Sequence, residues 1–441
     1  MPTARLLVLA LLAAVPLAAG TTSPPLVLIA LLYVAGLIAV VVMDFRAAPD
    51  RHHFHVERRH EPRLSLGEPN PVELHVRLAP RRGLRAARSL RLWARDECPT
   101  PIPVDQRILS GTIRYGGEWV GRYYLTPLRR GDYEFGPVHL RVESPLGLTV
   151  RQLTFPIDAP VHVYPNLRAV RRYDLLARRG RLHEAGLRQS KLFGRGTEFE
   201  RLRDYLPDDD YRRVNWKATA RRWQPVTVEY ETERSQNLVV VLDTGRLMAT
   251  PVGPLLKLDY AVNAALMLTR VAAQLGDRIG MLTFADEVVG YLPPARGRRQ
   301  FHLMLESLYN VRPQPVEPDP ARALSYLAAR QTKRSLVIVF TDLVEATDAE
   351  ALVTHLGVLS RRHLAFCVTI ADPDLPHLAA TDPSSSRSAY EKVVAQRLVD
   401  ERRAVLDRLE KRGVLTIDVA ADRLTAGVVN HYLEVKARTQ L

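Results

Sequence analysis

Two long apolar runs stand near the start of the chain, at residues 6–19 and 26–43. A helix needs about 20 apolar residues to cross a bilayer, so the second run is long enough and the first must extend beyond its apolar core. Arginine stands on both outer flanks, at Arg5 and Arg46, and residues 21–25 between the runs carry no charge. Because positively charged flanks stay in the cytoplasm, the pattern predicts a transmembrane helix hairpin over residues 1–45, with the bulk of the chain cytoplasmic.

A signal peptide cut near Ala19 is the competing interpretation of the first run. A positively charged start, an apolar centre and small residues are all present there. In that case the second run would act alone and the rest of the chain would lie outside the cytoplasm. The sequence leaves the choice between signal peptide and first transmembrane helix open.

Short segments that alternate between apolar and polar residues fill residues 46–165. The clearest of them places Val72, Leu74, Val76 and Leu78 at every second position. Turns that contain glycine separate it from further short apolar segments. Regular short strands with such turns predict a β-sandwich-like domain over this stretch.

The pattern changes after residue 165. Residues 166–203 form a strongly basic connector, and residues 211–222 follow an aspartate that can begin a helix. Residues 226–230 alternate between apolar and polar positions, which is typical of a half-buried strand. Residues 166–232 are therefore interpreted as a segment that joins two domains.

Apolar strands alternate with helical segments across residues 233–441. The run at 238–242 is apolar without a break, which is typical of a central strand covered on both faces. Further strands are expected at 279–284, 336–340 and 364–370. This alternation predicts an α/β domain of the doubly wound, Rossmann-like kind, with helices on both faces of a mostly parallel sheet.

The composition limits the function classes. The chain has 441 residues and a net charge of +14, which suits anionic lipid headgroups, acidic partners or nucleic acid. The basic connector has few aromatic stacking partners and matches no nucleic-acid-binding module, so contact with lipid headgroups or an acidic surface is one expectation and a solvated linker is the other. The chain has no phosphate-binding loop, no zinc-protease motif and no hydrolase motif, so we expect a protein that is not an enzyme.

One segment has a spacing that is specific enough to indicate a family. It sets glycine, acidic and arginine positions around aromatic residues and a proline. These positions are Gly194, Gly196, Glu198, Phe199, Arg203, Tyr205, Pro207, Asp209, Asp210, Arg212 and Trp216. The spacing resembles the signature of the domain-of-unknown-function 58 family, which couples such a segment to a von Willebrand factor A-like domain. Asp208 departs from that pattern, because the family usually has glycine there.

The resemblance implies a bacterial protein of the cytoplasmic (inner) membrane. Members are commonly encoded beside MoxR-type AAA+ ATPases, which implies a MoxR-type partner and a role in the assembly or activation of other complexes. The expected function is therefore a membrane-anchored, non-enzymatic protein-interaction scaffold. Two alternatives stay open: an extracytoplasmic adhesion or ligand-binding receptor, and a nucleic-acid-binding membrane protein.

The resemblance also implies where a metal would bind. Von Willebrand A-like domains often hold a divalent ion through Asp-x-Ser-x-Ser, a threonine and a later aspartate. Here the first motif reads Asp-Thr-Gly-Arg-Leu from Asp243, so both serines are replaced, and Asp342 takes the last position. Because Mg²⁺ requires near-octahedral oxygen ligands, we expect a degenerate site and no cofactor. A weak divalent site completed by Thr244, Glu317 or Asp319 is the alternative.

The sequence also predicts the surroundings of two further side chains, Arg246 and Trp216. Arg246 is expected beside the degenerate site as a competing cation. Trp216, which stands two residues after Val214 and two before Ala218, is expected to anchor its helix against the sheet rather than face solvent.

Overall fold

The structure is a computed structural model. It describes residues 1–14, 24–80, 89–179, 187, 199–205, 214, 216–230, 236–342, 349–371 and 374–437. The chain divides into two compact units, Met1–Leu167 and Arg168–Leu441. The fold is mixed α/β, with several sheets and a long apolar helix near the N-terminus.

Two helices open the first unit, α1 (Ala4–Leu12) and α2 (Pro24–Ala47). Val27–Ala47 of α2 is an apolar stretch of 21 residues with mean hydropathy 2.6, long enough to cross a membrane. In the described part of the chain no other helix meets this criterion. The hydroxyl of Tyr33 donates to the carbonyl oxygen of Leu9 at 2.9 Å and joins the two helices. Part of the first predicted span lies outside the described residues, so the two-helix hairpin stays a prediction.

The strands of the first unit form three sheets, in the orders β1-β3-β6, β2-β10-β7 and β5-β4-β8-β9. The strands are β1 (Phe54–His60), β2 (Arg63–Ser65), β3 (Asn70–Leu78), β4 (Ser89–Asp96), β5 (Leu109–Arg114), β6 (Glu118–Leu125), β7 (Gly131–Phe135), β8 (Val138–Glu143), β9 (Val150–Phe155) and β10 (Ala159–Tyr164). In β3 the apolar positions Val72, Leu74 and Val76 are fully buried. The alternation predicted from the sequence is therefore confirmed in this strand.

The turn between β8 and β9 holds the ends of both helices. Asp44, which is buried near the end of α2, accepts hydrogen bonds from the backbone N–H groups of Leu146 at 2.8 Å and Leu148 at 3.2 Å. Thr3, which caps α1, donates its hydroxyl to the carbonyl oxygen of Gly147 at 2.7 Å. A buried carboxylate needs such donors, so these bonds fix α2 to the sheet.

The second unit is built on a six-stranded sheet in the order β17-β16-β13-β18-β19-β20. Its strands are parallel, except that the edge strand β17 runs antiparallel to β16. The bounds are β13 (Asn237–Asp243), β16 (Arg278–Phe284), β17 (Val288–Ala295), β18 (Leu336–Thr341), β19 (Leu364–Ala371) and β20 (Leu415–Ala420). Shorter pairs are β11 (Phe199–Asp204) with β12 (Val226–Tyr230), and β14 (Pro251–Val252) with β15 (Leu255–Leu256).

Helices of the second unit cover both faces of this sheet, so every residue of β18 and every residue of β13 after Asn237 is buried. The helices are α3 (Leu167–Arg178), α4 (Trp216–Arg222), α5 (Lys257–Gln274), α6 (Arg298–Asn310), α7 (Pro320–Arg330), α8 (Ala349–Ser360), α9 (Asp374–Ala380), α10 (Ser386–Lys411) and α11 (Leu424–Ala437). Val239 and Val241 of β13 share one apolar cluster with α7, α8 and α10. The strands predicted at 238–242, 279–284, 336–340 and 364–370 are therefore confirmed.

The beginning of the basic connector is a packed helix. In α3, Val170 and Tyr173 are buried. Asp174 accepts a hydrogen bond from Nε of Arg270 on α5 at 2.8 Å, so α3 is fixed to that helix. Most of the rest of the connector lies outside the described residues.

Candidate functional site

The central strands β13 and β18 end side by side with polar residues. Asp243 is the last residue of β13, and Thr341 and Asp342 stand at the end of β18. Because the two strands are parallel, their carboxyl ends lie at the same edge of the sheet, where ligand sites of such folds gather. The hydroxyl of Thr341 donates to Oδ2 of Asp243 at 2.7 Å, and the N–H of Gly245 donates to Oδ1 at 2.7 Å.

Asp243 is almost completely buried, with 1% of its surface exposed. Burial raises the pKa of its carboxyl to about 6, although the bonds from Thr341 and Gly245 lower the pKa. The negative charges of Asp342 and Glu317 raise the pKa further. Asp243 is therefore an acid whose ionised form is disfavoured by its surroundings.

Asp342 is held between a buried cation, Lys257, and a half-buried one, Arg402. Nζ of Lys257, at the start of α5, lies 2.6 Å from Oδ2 of Asp342, and Nη1 of Arg402, on α10, lies 2.8 Å from Oδ1. Arg402 also contacts Asp418 of β20 at 2.8 Å. Burial works against the charge of Arg402, but the bonds and charges of Asp418 and Asp342 outweigh it and raise the pKa of the guanidinium. We call Asp243, Lys257, Thr341, Asp342 and Arg402 the strand-end cluster.

This arrangement bears on metal binding, because both carboxylate oxygens of Asp342 already contact a side-chain cation. A divalent ion at Asp342 would have to displace Lys257 and Arg402 or share their partner. Among the described residues, no three His, Cys, Asp or Glu side chains are grouped as metal ligands. Chemically, the cluster is a buried network of ion pairs.

The other candidate ligands have different partners. Thr244 donates its hydroxyl to the carbonyl oxygen of Phe284 at 2.8 Å. Asp319 accepts a hydrogen bond from the N–H of Arg322 at 2.9 Å and caps α7. Glu317 pairs with Arg246 at the surface. Arg246 was the cation expected to compete at the site, but the cations that contact Asp342 are Lys257 and Arg402.

Sequence reasoning missed Lys257 and Arg402 for a physical reason. Lys257 stands 14 residues after Asp243 in the chain, and Arg402 lies in the middle of the 26-residue helix α10. Neither belongs to a short motif. The signal that could have found Lys257 is a lysine at the start of a largely apolar helix, because a buried charge needs a partner.

The signature residues are only partly within the described chain. Phe199 and Arg203 lie in β11, where they pair with Tyr230 and Thr227 of β12. The N–H of Tyr205 donates to the carbonyl oxygen of Pro225 at 2.9 Å. The signature positions outside the described residues are Gly194, Gly196, Glu198, Pro207, Asp209, Asp210 and Arg212.

The expectation that Trp216 packs against the sheet is wrong, because 69% of this residue is exposed. In α4 the half-buried side carries Ala218 and Thr219, and Thr219 Oγ1 accepts a hydrogen bond from the N–H of Val226 at 3.1 Å. Trp216 lies on the outer side. The helix therefore packs through small residues and leaves its large aromatic residue in solvent.

A second tryptophan extends this outer side. Trp223, directly after α4, is 92% exposed and has φ of 58°, a left-handed conformation that bulky residues rarely adopt. Position 220 stands four residues after Trp216 and shares its side of α4, whereas Trp223 follows the end of the helix. Lys217 and Arg221 are exposed beside them. We call Trp216, Lys217, Ala220, Arg221 and Trp223 the tryptophan surface.

Known proteins resemble parts of this chain. Residues 201–415 match the family described as "Protein of unknown function DUF58". An uncharacterized protein of Mycobacterium tuberculosis is 26% identical over 182 residues, which cover 41% of this chain and 56% of the relative. Uncharacterized protein YeaD of Bacillus subtilis is 31% identical over 123 residues, which cover 27% of this chain and 30% of YeaD. The chain therefore spans about half or less of the length of these relatives.

Two solved structures are similar at a low level. One is an aerotolerance-related membrane protein from Bacteroides fragilis, with a TM-score of 0.32 and 15% identity over 45% of this chain and 99% of its own. The other is the conserved hypothetical protein BatB from Bacteroides thetaiotaomicron, with a TM-score of 0.34 and 14% identity over 46% of this chain and 100% of its own. Neither score is high enough to define the fold. The match to the DUF58 family shows that residues 201–415 are similar to that family, in agreement with the resemblance seen in the sequence.

Proposed function

We propose that the chain is a membrane-anchored, non-enzymatic interaction scaffold that works with a MoxR-type AAA+ ATPase in assembling or activating other complexes. In this proposal the N-terminal helices form a transmembrane hairpin in the inner membrane, and the bulk of the chain is cytoplasmic. Residues 233–441 are a von Willebrand A-like domain whose metal site is degenerate. Each part has its own support and its own test.

The observation that carries the proposal is the exposure of two tryptophans inside the family-matched segment. Tryptophan is enriched among the residues that dominate protein–protein binding energy. The tryptophan surface exposes the indoles of Trp216 and Trp223, and the small residue Ala220 on the same short helix is exposed as well. Such a surface suits a protein partner better than a small-molecule substrate.

The charge of this surface indicates the chemistry of the partner. Lys217 and Arg221 are exposed on the same short helix. A partner that offers carboxylates around an apolar side chain would complement both features, and such charges mainly raise the rate of encounter. Energy-driven remodelling would come from the ATPase, because this sequence contains no nucleotide-binding loop.

The strand-end cluster supports the absence of a cofactor in the proposal. In it, Lys257 and Arg402 supply the positive charge that a divalent ion would otherwise bring to Asp342. Within the cluster, the hydroxyl of Thr341 and the carboxylate of Asp243 that accepts from it are both buried. Its bonds suit a structural role in holding β13, β18, α5 and α10 together.

Co-purification from membranes of the native host tests the partnership. The full chain should recover a AAA+ ATPase of the MoxR type, and the purified chain should change the turnover of that ATPase. Trp216→Ala should weaken the complex by about tenfold or more, as truncation of an interface tryptophan typically does. The matched control is Tyr390→Ala, because Tyr390 is an equally exposed aromatic residue (73%) on α10.

Three outcomes would contradict parts of the proposal. If no AAA+ protein is recovered and turnover is unchanged, the partnership is wrong. If Trp216→Ala and Tyr390→Ala bind the ATPase equally well, the partnership stands but the tryptophan surface is not its contact. If a periplasmic reporter fused after Arg59 is active, the cytoplasmic placement is wrong and the receptor alternative becomes the better one.

A further inference from the structure

The outward face of the sheet β5-β4-β8-β9 carries a cavity of about 450 Å³ in the first unit. Leu92 and Ala94 of β4 face the core and are fully buried, so Trp93 and Arg95 between and beside them face outward. The residues that line the cavity include Trp93, Arg95, Ile108, His139, Arg141 and Val150. The cavity therefore combines cationic groups with apolar walls.

The cations of the cavity come together through strand register. Arg95 lies opposite His139, and Trp93 lies opposite Arg141. Nε of Arg141 donates to Oε1 of Gln152 at 3.3 Å, and within the described part of the chain neither arginine pairs with a carboxylate. The carboxylate of Glu97 contacts the histidine of the cavity, with Oε2 of Glu97 3.8 Å from Nε2 of His139. The two arginines are thus available to an anion that presents several oxygens, such as a phosphate.

The remaining walls are suited to an apolar group attached to that anion. Ile108 is 60% exposed and adds apolar surface to one wall of the cavity. Trp93 is half-buried, and an indole of this kind suits the boundary between apolar and aqueous surroundings. The chemistry that fits is an anionic amphiphile rather than a free inorganic ion.

The position of the cavity indicates where such a ligand would come from. Met1 and Pro2 line it, and the N–H of Val150 on β9 donates to the carbonyl oxygen of Met1 at 2.8 Å. The apolar helix α1 begins three residues later, at Ala4. The turn before β9 holds Asp44 at the end of the apolar helix α2. If α2 crosses a membrane, the headgroups around it lie level with this end of the sheet.

We propose that this cavity binds the headgroup of an anionic phospholipid, with the phosphate on Arg95 and Arg141 and the glycerol end against Trp93 and Ile108. The proposal rests on the membrane anchoring described under the proposed function. It gives the first unit a role of its own, which is to fix the chain against anionic lipid at the root of its anchor.

The test uses the full chain in a neutral detergent, with dioctanoyl phosphatidylglycerol as the probe. Native mass spectrometry measures retained lipid over a concentration series, and dioctanoyl phosphatidylcholine and inorganic phosphate serve as comparison probes. The variant Arg95→Gln/Arg141→Gln should bind the anionic lipid about tenfold or more weakly, because hydrogen bonds to charged groups are lost. The matched control is Arg91→Gln, which changes another outward arginine of β4 that is not part of the cavity lining.

The outcomes separate the cavity from the anchor. Anionic lipid that binds wild type and Arg91→Gln alike, and the double variant more weakly at an unchanged melting temperature, supports the proposal. Equal binding by the double variant overturns it. Inorganic phosphate that binds as tightly as the lipid, or phosphatidylcholine that does so, overturns the lipid assignment. If the full chain is absent from the membrane fraction of the host, the proposed membrane anchoring is wrong, and the membrane cannot be the source of the lipid.

Discussion

The strand-end cluster and the tryptophan surface are opposites in how they treat their side chains. In the first, Asp342 and Lys257 are buried and each charge faces a partner within 3 Å of it. In the second, Trp216 and Trp223 leave most of their apolar surface in solvent. The charged groups of the strand-end cluster contact one another, whereas the apolar side chains of the tryptophan surface are exposed to solvent.

This difference indicates which part of the second unit is suited to bind a partner. A carboxylate whose oxygens are already hydrogen-bonded gains little from a new ligand, because existing bonds must first break. An exposed indole gains by any contact that removes it from water. We therefore expect a partner to bind at the tryptophan surface, and we expect the strand-end cluster to contribute to the stability of the fold.

The largest expected effect comes from opening the cluster. Asp342→Ala removes the carboxylate that the buried Lys257 contacts, whereas Arg402 keeps its contact with Asp418. Removing one partner of a buried ion pair typically costs about 3–5 kcal/mol in the free energy of unfolding. Thermal and urea unfolding of the full chain in detergent measures this loss.

An exposed pair provides the control for that experiment. Glu317→Ala breaks a surface contact with Arg246, and exposed pairs contribute about 0–1 kcal/mol. If Asp342→Ala is no more destabilising than Glu317→Ala, then the cluster is not closed and the comparison with the tryptophan surface fails.

A second prediction concerns pH. Burial raises the pKa of Asp243 to about 6, whereas an unfolded aspartate titrates at about 3.9. Between about pH 4 and pH 6 the folded chain keeps a proton that the unfolded chain has lost, so Asp243 makes stability fall as the pH rises. Above pH 6 both states are ionised and the cost stays constant at about 3 kcal/mol.

The variant Asp243→Asn isolates this effect, because its neutral side chain can still accept from Gly245 and has no titration. Its free energy of unfolding, measured relative to wild type, should rise by about 3 kcal/mol between pH 4 and pH 7. Urea unfolding at a series of pH values measures the difference. A difference that does not change with pH would mean that Asp243 titrates normally in the folded chain.

Much of the second unit could be predicted from the sequence, because its strands are short apolar runs that only a sheet buried on both faces accommodates. The run at 238–242 and the later run at 336–340 became the adjacent strands β13 and β18. The contacts of Asp342 could not be predicted in this way. They depend on Lys257 and Arg402, which the fold brings together from distant positions, and spacing along the chain carries no information on them.

The prediction that Trp216 is buried is wrong for a different reason. Size and apolarity favour burial, but a seven-residue helix can bury only one narrow side. Here the half-buried side carries Ala218 and Thr219, which allow close approach of the strand that follows. Local sequence shows which residues are large, and packing decides which side of the helix they occupy.

A smaller effect is expected at Trp223, whose left-handed backbone is strained for a bulky residue. Trp223→Gly should stabilise the chain by up to about 1 kcal/mol, because glycine adopts this conformation without a steric cost. The control is Gln224→Gly, at an exposed neighbour without a positive φ. A melting temperature that falls for Trp223→Gly more than for Gln224→Gly would show that the indole packs, and the open character of the surface would be lost.

The smallest effect is expected from divalent metal, where wild type should show almost none. Lys257 and Arg402 already place positive charge on both oxygens of Asp342, and Asp243 has its own two donors. A Mg²⁺ or Mn²⁺ ion would need several oxygen ligands in octahedral arrangement, and it would meet two cations instead. Calorimetry on the full chain should therefore give no saturable heat at millimolar metal, and a chelator should leave the melting temperature unchanged.

The variant Lys257→Met provides a more stringent test of metal exclusion, because it removes one of the competing charges while keeping an unbranched side chain in place. If Mn²⁺ binds Lys257→Met but not wild type, then the lysine is what excludes the ion. A micromolar dissociation constant for wild type that Asp243→Ala abolishes would instead mean that the strand-end cluster opens readily, and the two regions would no longer differ in the way proposed.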